Sequence, residues 1–474
     1  MAQSRGSGLR RHKLGYAGRS AGGPGNASLF GRRKCTPGGS GMTERKLQVT
    51  VRLKSPLLLG DESGAGNYEQ TADYIPGAVL RGAVATRLLD VLPADHAYVR
   101  DHPSCPEEEQ PAFWRVFGAA SPPRFGNAYP ARPGRWAYPF PATARTCKRR
   151  PGYRTDENRK GHGVFDTLIE QTVYDLVSDP RFPYRTELMP ELGTAWARLP
   201  GSYDPCCPYP DCGGGVKPAE GYYLVEDAGP GPTLHPSVSR ATHVGINRAR
   251  GVAEDALLFT LETLDDPGAE FRGQLVYDEA YAADLEMALP LDGQASEFVI
   301  GRGRSRGMGL VEISMGPPPG LPELPERLWE LNRLLRQVLA GYQGADSRVP
   351  AGLPGHCFSL TLCAPAILTA PDGTPALWPD LSSVKLGDAR PLRAWARTTV
   401  VGGWDAAAGL PRRTRQAVQA GAVYLYHVPE STLPEATLIE RLSDLEWAGI
   451  GEQRERGYGQ LIVCAPFHYA GYRG

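Results

Sequence analysis

Gly301-Arg302-Gly303-Arg304-Ser305-Arg306-Gly307-Met308-Gly309 runs directly into Leu310-Val311-Glu312-Ile313. Near the other end of the chain, Arg454-Glu455-Arg456-Gly457-Tyr458-Gly459 runs into Gln460-Leu461-Ile462-Val463. Both read Arg-x-Arg-Gly-x-Gly followed by a strand. Each has a matching motif upstream. Val51-Arg52-Leu53-Lys54-Ser55-Pro56-Leu57-Leu58-Leu59 aligns with Leu360-Thr361-Leu362-Cys363-Ala364-Pro365-Ala366-Ile367-Leu368, as strand, small residue, proline and apolar run. Two motif pairs in the same order indicate an internal duplication. A unit that opens and closes with a strand suits a β-α-β-β-α-β sandwich of the ferredoxin or RRM type. The expected fold class is therefore α+β, with two such halves.

The spacing from proline motif to glycine turn is far longer in the first half, so that half must carry inserted material. The expected divisions are 42–320 for the first half, 321–354 for a connecting helix and linker, and 355–474 for the second half. The insertion falls at about 100–235, which is Pro-rich and holds Cys105, Cys147, Cys206, Cys207 and Cys212. Leu47–Leu53 alternates apolar and polar residues, the period of a strand with one buried face. Leu324, Leu328, Leu331, Leu335 and Val338 recur at helical spacing and predict an amphipathic helix between the halves. Residues 1–41 hold Arg5, Arg10, Arg11, Lys13, Arg19, Arg32, Arg33 and Lys34 and no acidic residue. They read as a disordered basic tail, or as an upstream extension of a chain whose start is Met42.

Composition narrows the function by exclusion. Lys+Arg and Asp+Glu are both 52 in 474 residues, so net charge gives no support for nucleic-acid binding. That case has to rest on local clusters. The 57 glycines and 44 prolines argue against a helix bundle. No apolar run is long enough for a membrane span. Nine cysteines without an apolar leader suggest a reducing, cytoplasmic setting. Gly-x-Ser-x-Gly, His-Glu-x-x-His and Walker loops do not occur, which argues against those hydrolase and NTPase classes.

Several features point to anion chemistry. In the 301–309 loop, Gly303, Gly307 and Gly309 let the backbone approach a ligand, and turn amides can form an anion nest. Arg302, Arg304 and Arg306 add guanidinium groups suited to phosphate. Arg454, Arg456 and Gly457 repeat the pattern. Pro76-Gly77 opens a helix whose free amides favour phosphate, and Arg81 near its start opposes the helix dipole unless an anion binds there. Basic groups recur at Lys148 and Arg149, at Arg240, Arg248 and Arg250, and at Arg412, Arg413 and Arg415. Tyr74, Phe125, Tyr129 and Trp404 are candidates for base stacking. Cys206, Cys207 and Cys212 stand among turn residues, as in zinc knuckles, with the choice between Cys206 and Cys207 open. Candidates for catalysis are weak. Asp61 lies in a glycine-rich loop, and His243 could act as acid or base. A non-catalytic binding protein is the first reading and an endoribonuclease the alternative.

Ile75-Pro76-Gly77-x-x-Leu80-Arg81-Gly82 followed far downstream by the 301–309 loop resembles the RAMP superfamily of CRISPR-associated proteins. Phe113-Trp-Arg-Val-Phe117-Gly118, Phe125-Gly-Asn-Ala-Tyr-Pro130, Cys147-Lys148-Arg149, His162-Gly-Val-Phe-Asp166, Gly221-Tyr-Tyr223, Thr242-His-Val-Gly-Ile-Asn247-Arg248 and Gly402-Gly-Trp404 extend the likeness. Together they are similar to the RAMP subunit peculiar to type III-D systems. The resemblance implies a subunit of a crRNA-guided effector complex that holds the repeat-derived 5′ end of the guide. It also implies target RNA, backbone RAMP subunits and a large polymerase-like subunit as partners. It points to a structural zinc, with Cys147 and His162 completing a Cys₃His set. Related backbone subunits cut target RNA with a loop aspartate, and Asp61 occupies a comparable place.

Overall fold

The computed structural model describes residues 44–60, 67–91, 111–156, 158–193, 203–226, 229–247, 250, 252–318, 320–405 and 410–470. The 1–41 segment, Asp61 and Arg248 therefore lie outside the described residues, as does the side chain of Trp404.

The alternation at the start of the fold does what it predicts. Strand Glu44–Leu53 buries Val49, Val51 and Leu53 and turns Arg52 out. It runs antiparallel to Glu270–Asp278 on one side and to Leu310–Gly316 on the other. Arg124–Phe125 extends the sheet beyond Glu270–Asp278, and Ser296–Val299 extends it beyond Leu310–Gly316. Helix Gly77–Asp90 packs Leu80, Val84 and Leu88 into the same apolar cluster as Val51, Phe271 and Ile313. Leaving aside the outer Ser296–Val299 strand, the order of strands in the chain and in the sheet is that of a split β-α-β-β-α-β unit.

A second sheet has the order Arg390–Trp395, Val423–Val428, His356–Leu362, Leu461–Val463, again antiparallel. It departs from expectation in its helices. Between His356–Leu362 and Arg390–Trp395 there is one 3-10 turn, Ser382–Val384, and no α-helix. The sheet still needs an apolar cover. Helix Leu324–Tyr342 supplies it from upstream, together with Leu168–Ser178 and Glu435–Ala448, and all three share one buried cluster with the strands. So 324–342, which lies between the two sheets in the chain, is also a core element of this layer. Its buried stripe is Leu324, Leu328, Leu331, Leu335 and Leu339, with Val338 only partly covered. Arg327 on this helix makes a bidentate ion pair with Glu446 at 2.9 and 3.0 Å. Asn332 ties the helix to Cys357 by donating from Nδ2 to its carbonyl and accepting its N–H, at 2.8 and 2.9 Å.

The 100–235 region does not stand apart either. Besides giving Leu168–Ser178 to the second core, it folds two small sheets. One joins Ala137–Pro139, Tyr222–Glu226 and Gly229–Leu234; the other joins Val164–Asp166, Ala144–Cys147 and Val216–Pro218. Trp136, Tyr138, Phe140 and Tyr223 bury against Ile462 of the second sheet and against Cys363 and Phe467 just beyond its strands. Packing of aromatic rings, beyond any metal, therefore holds this region in place.

Candidate nucleic-acid interface and metal centre

The two glycine turns are built on the same hydrogen bonds. Gly309 N–H donates to Pro56 O at 2.9 Å and Gly459 N–H to Pro365 O at 2.8 Å. Arg302 N–H donates to Leu58 O and Glu452 N–H to Ile367 O, at 2.9 and 3.0 Å. Ile300 N–H reaches Gly309 O, and Ile450 N–H reaches Gly459 O, both at 2.9 Å. In each turn the last glycine is required by close approach, since a Cβ would lie 2.0 Å from Ile300 O at Gly309 and 1.7 Å from Ile450 O at Gly459. Between these anchors each turn carries a 3-10 segment, Arg304–Arg306 and Arg454–Arg456.

Their surroundings differ. The 301–309 loop is open. Arg304, Ser305, Arg306 and Gly307 are exposed, and nothing lies within 4 Å of a Cβ built on Gly307. Gly303 and Gly307 both have positive φ, 73° and 78°. Arg304 Nε donates to Gly301 O at 3.2 Å. The Arg306 guanidinium stands 5.7 Å from the centre of the Phe259 ring. Arg302 is engaged by Glu69. The 454–459 turn is instead wedged against the first sheet. A Cβ on Gly457 would meet Asn127 Oδ1 at 2.6 Å and Phe125 O at 3.0 Å. Arg454 donates to Ala448 O at 3.2 Å, and Arg456 pairs with Glu455 at 3.5 Å.

Beside the open loop stands a long antiparallel hairpin, Val238–Asn247 with Val252–Leu264. Its base is fixed where Leu264 bridges Leu57. Farther out it leaves the core, so Val244, Ile246 and Leu258 are exposed. His243 stacks on Phe259 at 5.3 Å across the hairpin. The open loop and the hairpin thus place two exposed arginines, a phenylalanine and an imidazole on one surface. Guanidinium and aromatic groups in this arrangement suit a sugar-phosphate chain with stacked bases.

Other sequence candidates land elsewhere. Arg81 lies over the Phe117 ring at 4.6 Å, a cation–π contact that accounts for a cation near a helix start without an anion. The amide of Gly77 is taken by Asn127 Oδ1 at 2.8 Å. Phe125 and Tyr129 are 2% and 4% exposed, so they pack the core and do not stack bases. Lys148 and Arg149 are exposed, at the edge of the cysteine cluster. Phe259, Asn127 and Glu69 were missed. Asn127 stands in a quoted motif, but nothing local marks Phe259, whose role depends on hairpin register.

The cysteine cluster joins Cys147, His162, Cys207 and Cys212, with one ligand atom from each lying within 4.8 Å of the others. Cys147 Sγ and Cys212 Sγ are 3.8 Å apart, and Cys207 Sγ is 3.5 Å from His162 Nδ1. Ordinary Zn–S and Zn–N bonds in a tetrahedron give edges of about 3.8 and about 3.5 Å. The donor set and spacing fit zinc. Cys206, by contrast, is exposed and directed at Asp204 O. Burial pushes the Cys147 thiol up, but hydrogen bonds from the Arg150 and Arg149 backbone, with the neighbouring thiols, bring it below its usual range. Burial pushes Cys207 up to about 11. Burial, then Arg150 and Arg154, push His162 down, which favours the neutral ring a metal requires. His162 also stacks on Tyr209 at 4.1 Å.

Residues 50–312 match the family model described as RAMP superfamily. Residues 348–466 match the model described as CRISPR-associated protein (Cas_Cmr3). No curated protein matches the chain. Among solved structures, a chain of a type III-B Cmr-beta complex bound to cognate target RNA and AMPPnP is 10% identical, with a TM-score of 0.37, over 90% of this chain and 98% of that one. A chain of the apo Cmr-beta complex is 16% identical, with a TM-score of 0.27, over 57% and 96%. A Cas6 substrate mimic complex is 15% identical, with a TM-score of 0.24, over 42% and 80%. Among the described residues no helix is long and apolar enough to cross a membrane.

Proposed function

The chain belongs to the RAMP superfamily, and from that premise we propose that it is a non-catalytic RNA-binding subunit of a crRNA-guided type III CRISPR effector complex. The observation that carries this reading is the open Gly301–Gly309 loop, with Arg304 and Arg306 exposed and Arg306 beside Phe259 of the hairpin. The match of residues 348–466 to the Cas_Cmr3 model supports the same assignment. We read the chain as two related halves, 42–320 and 355–474, on the strength of the shared hydrogen bonds of their glycine turns.

In this reading the hairpin and loop grip the guide RNA near its repeat-derived 5′ end. Lys148, Arg149 and Arg248 extend the phosphate track, while Arg302, Gly303, Gly307 and Gly309 shape the loop. Arg454, Arg456 and Gly457 act at the junction of the halves. Target RNA, backbone RAMP subunits and a large polymerase-like subunit are the proposed partners, in a type III-D setting. Zinc in the Cys147–His162–Cys207–Cys212 cluster serves structure. Incubation with labelled repeat RNA tests the reading. Retention without cleavage supports it. Cleavage that disappears in Asp61→Ala or His243→Ala would make the protein an endoribonuclease instead.

A further inference from the structure

We propose that the cavity walled by the segment between Cys147 and His162 receives one nucleotide of the bound RNA, and favours bases that carry an exocyclic amino group. This rests on the RNA-binding reading above and adds a site to it. The cavity measures about 520 Å³. That is within the range of small-ligand sites and large enough for one nucleotide with its phosphate.

One wall is the loop between two members of the cysteine–histidine cluster, and the loop is braced. Asn158 Nδ2 donates to Pro151 O at 2.9 Å and to Tyr153 O at 3.1 Å. Asn158 N–H donates to Thr155 Oγ1 at 3.0 Å, and Gly152 N–H to Thr146 Oγ1 at 2.8 Å. His162 N–H returns to Arg150 O at 3.0 Å. A metal on Cys147 and His162 would close this loop at both ends. The cavity therefore depends on the cluster for its shape.

The lining divides by chemistry. Pro151 and Pro218 are exposed and offer flat apolar faces to a base, while Tyr153, buried and stacked on Phe140 at 6.5 Å, backs the wall behind them. Arg132 and Lys217 supply positive groups, and His235 a ring N–H, for a phosphate. Exposed Lys148, Arg149 and Arg150 flank the same loop and continue the positive surface outward. Two carboxylates, Asp156 and Glu220, also line the space. Because they would repel a phosphate, we assign them to the base rather than to the phosphate. A carboxylate accepts hydrogen bonds from the amino groups of adenine, cytosine or guanine, whereas uracil offers it only the ring N3–H.

The test titrates the zinc-loaded full chain with AMP, CMP, GMP and UMP in turn, observed by ligand NMR. Binding should saturate in the range of about 1–10 mM, as for a single nucleotide cut from its strand. UMP should be weakest, by about threefold or more, as the missing amino group requires. Lys217 is exposed, so Lys217→Glu should keep its zinc while losing about tenfold in affinity. Removing zinc with a chelator should abolish saturation. Absence of saturation with all four nucleotides overturns the proposal, and so does UMP binding as tightly as the others. Repeat RNA is measured on the same preparations. If RNA binds and no mononucleotide does, the cavity proposal falls alone. If AMP binds and RNA does not, the nucleotide site stands and the RNA-subunit reading falls.

Discussion

Gly457 meets Gly77 across 380 residues of chain: a Cβ built on Gly457 would stand 3.2 Å from the Gly77 Cα. This contact locks the second glycine turn onto the start of helix Gly77–Asp90, beside the Asn127 side chain that caps Gly77. The turn that most resembles the open loop is thereby committed to joining the two sheets.

Gly457→Ala tests that interlock. The residue has φ 95° and backbone on two sides. The substitution combines left-handed strain with overpacking and should cost about 2–4 kcal/mol. Gly307→Ala, at φ 78° in open space, carries only the conformational part, about 1–2 kcal/mol. Urea denaturation of the two variants should rank them in that order. Equal midpoints would mean that the turn is not clamped.

The metal cluster makes a sharper prediction. Purified protein should carry about one equivalent of zinc, the stoichiometry of a single four-ligand site. Cys207→Ser should lose most of it, and Cys206→Ser should keep it, because Cys206 lies outside the cluster. Elemental analysis distinguishes the two. Equal zinc content in both variants would remove the assignment.

Among the depressed carboxyls, Glu270 is a buried contributor to acid sensitivity. Burial pushes the Glu270 carboxyl up, but hydrogen bonds from Arg52 and Arg272 outweigh it and hold the group below its ordinary 4.5. A carboxyl depressed in the folded state adds stability above its unfolded pKa and loses it as pH falls through the folded value. Glu270→Gln should therefore lower stability at neutral pH and flatten its decline below about pH 4.5. Urea midpoints measured from neutral to acid pH check this. A parallel decline in both proteins would contradict it.

Some of this architecture is legible in the sequence and some is not. The paired glycine turns are local patterns, because Gly309 and Gly459 answer to carbonyls nine residues upstream, at Ile300 and Ile450. The period of Leu47–Leu53 likewise encodes its buried face. The cysteine group is visible as composition, but the choice of Cys207 over Cys206 depends on which way adjacent side chains point. The destination of a helix is less visible still. Leu168–Ser178 carries an apolar face that its own segment does not bury, and only folding matches that face to the second sheet. The surroundings of Arg81 are hidden for a related reason, since its neighbour Phe117 lies 36 positions away. Phe259 has no local mark, and its place beside Arg306 comes from hairpin register.

The salt dependence of guide-RNA binding by the Arg304→Ala, Arg306→Ala double variant tests the central claim most directly. Each phosphate contact on a single strand contributes about 0.7 to the slope of log affinity against log salt, so losing two should flatten it by about 1.4. Affinity should fall with the fold preserved, because both side chains are exposed. Wild-type affinity and slope in the double variant would contradict the account.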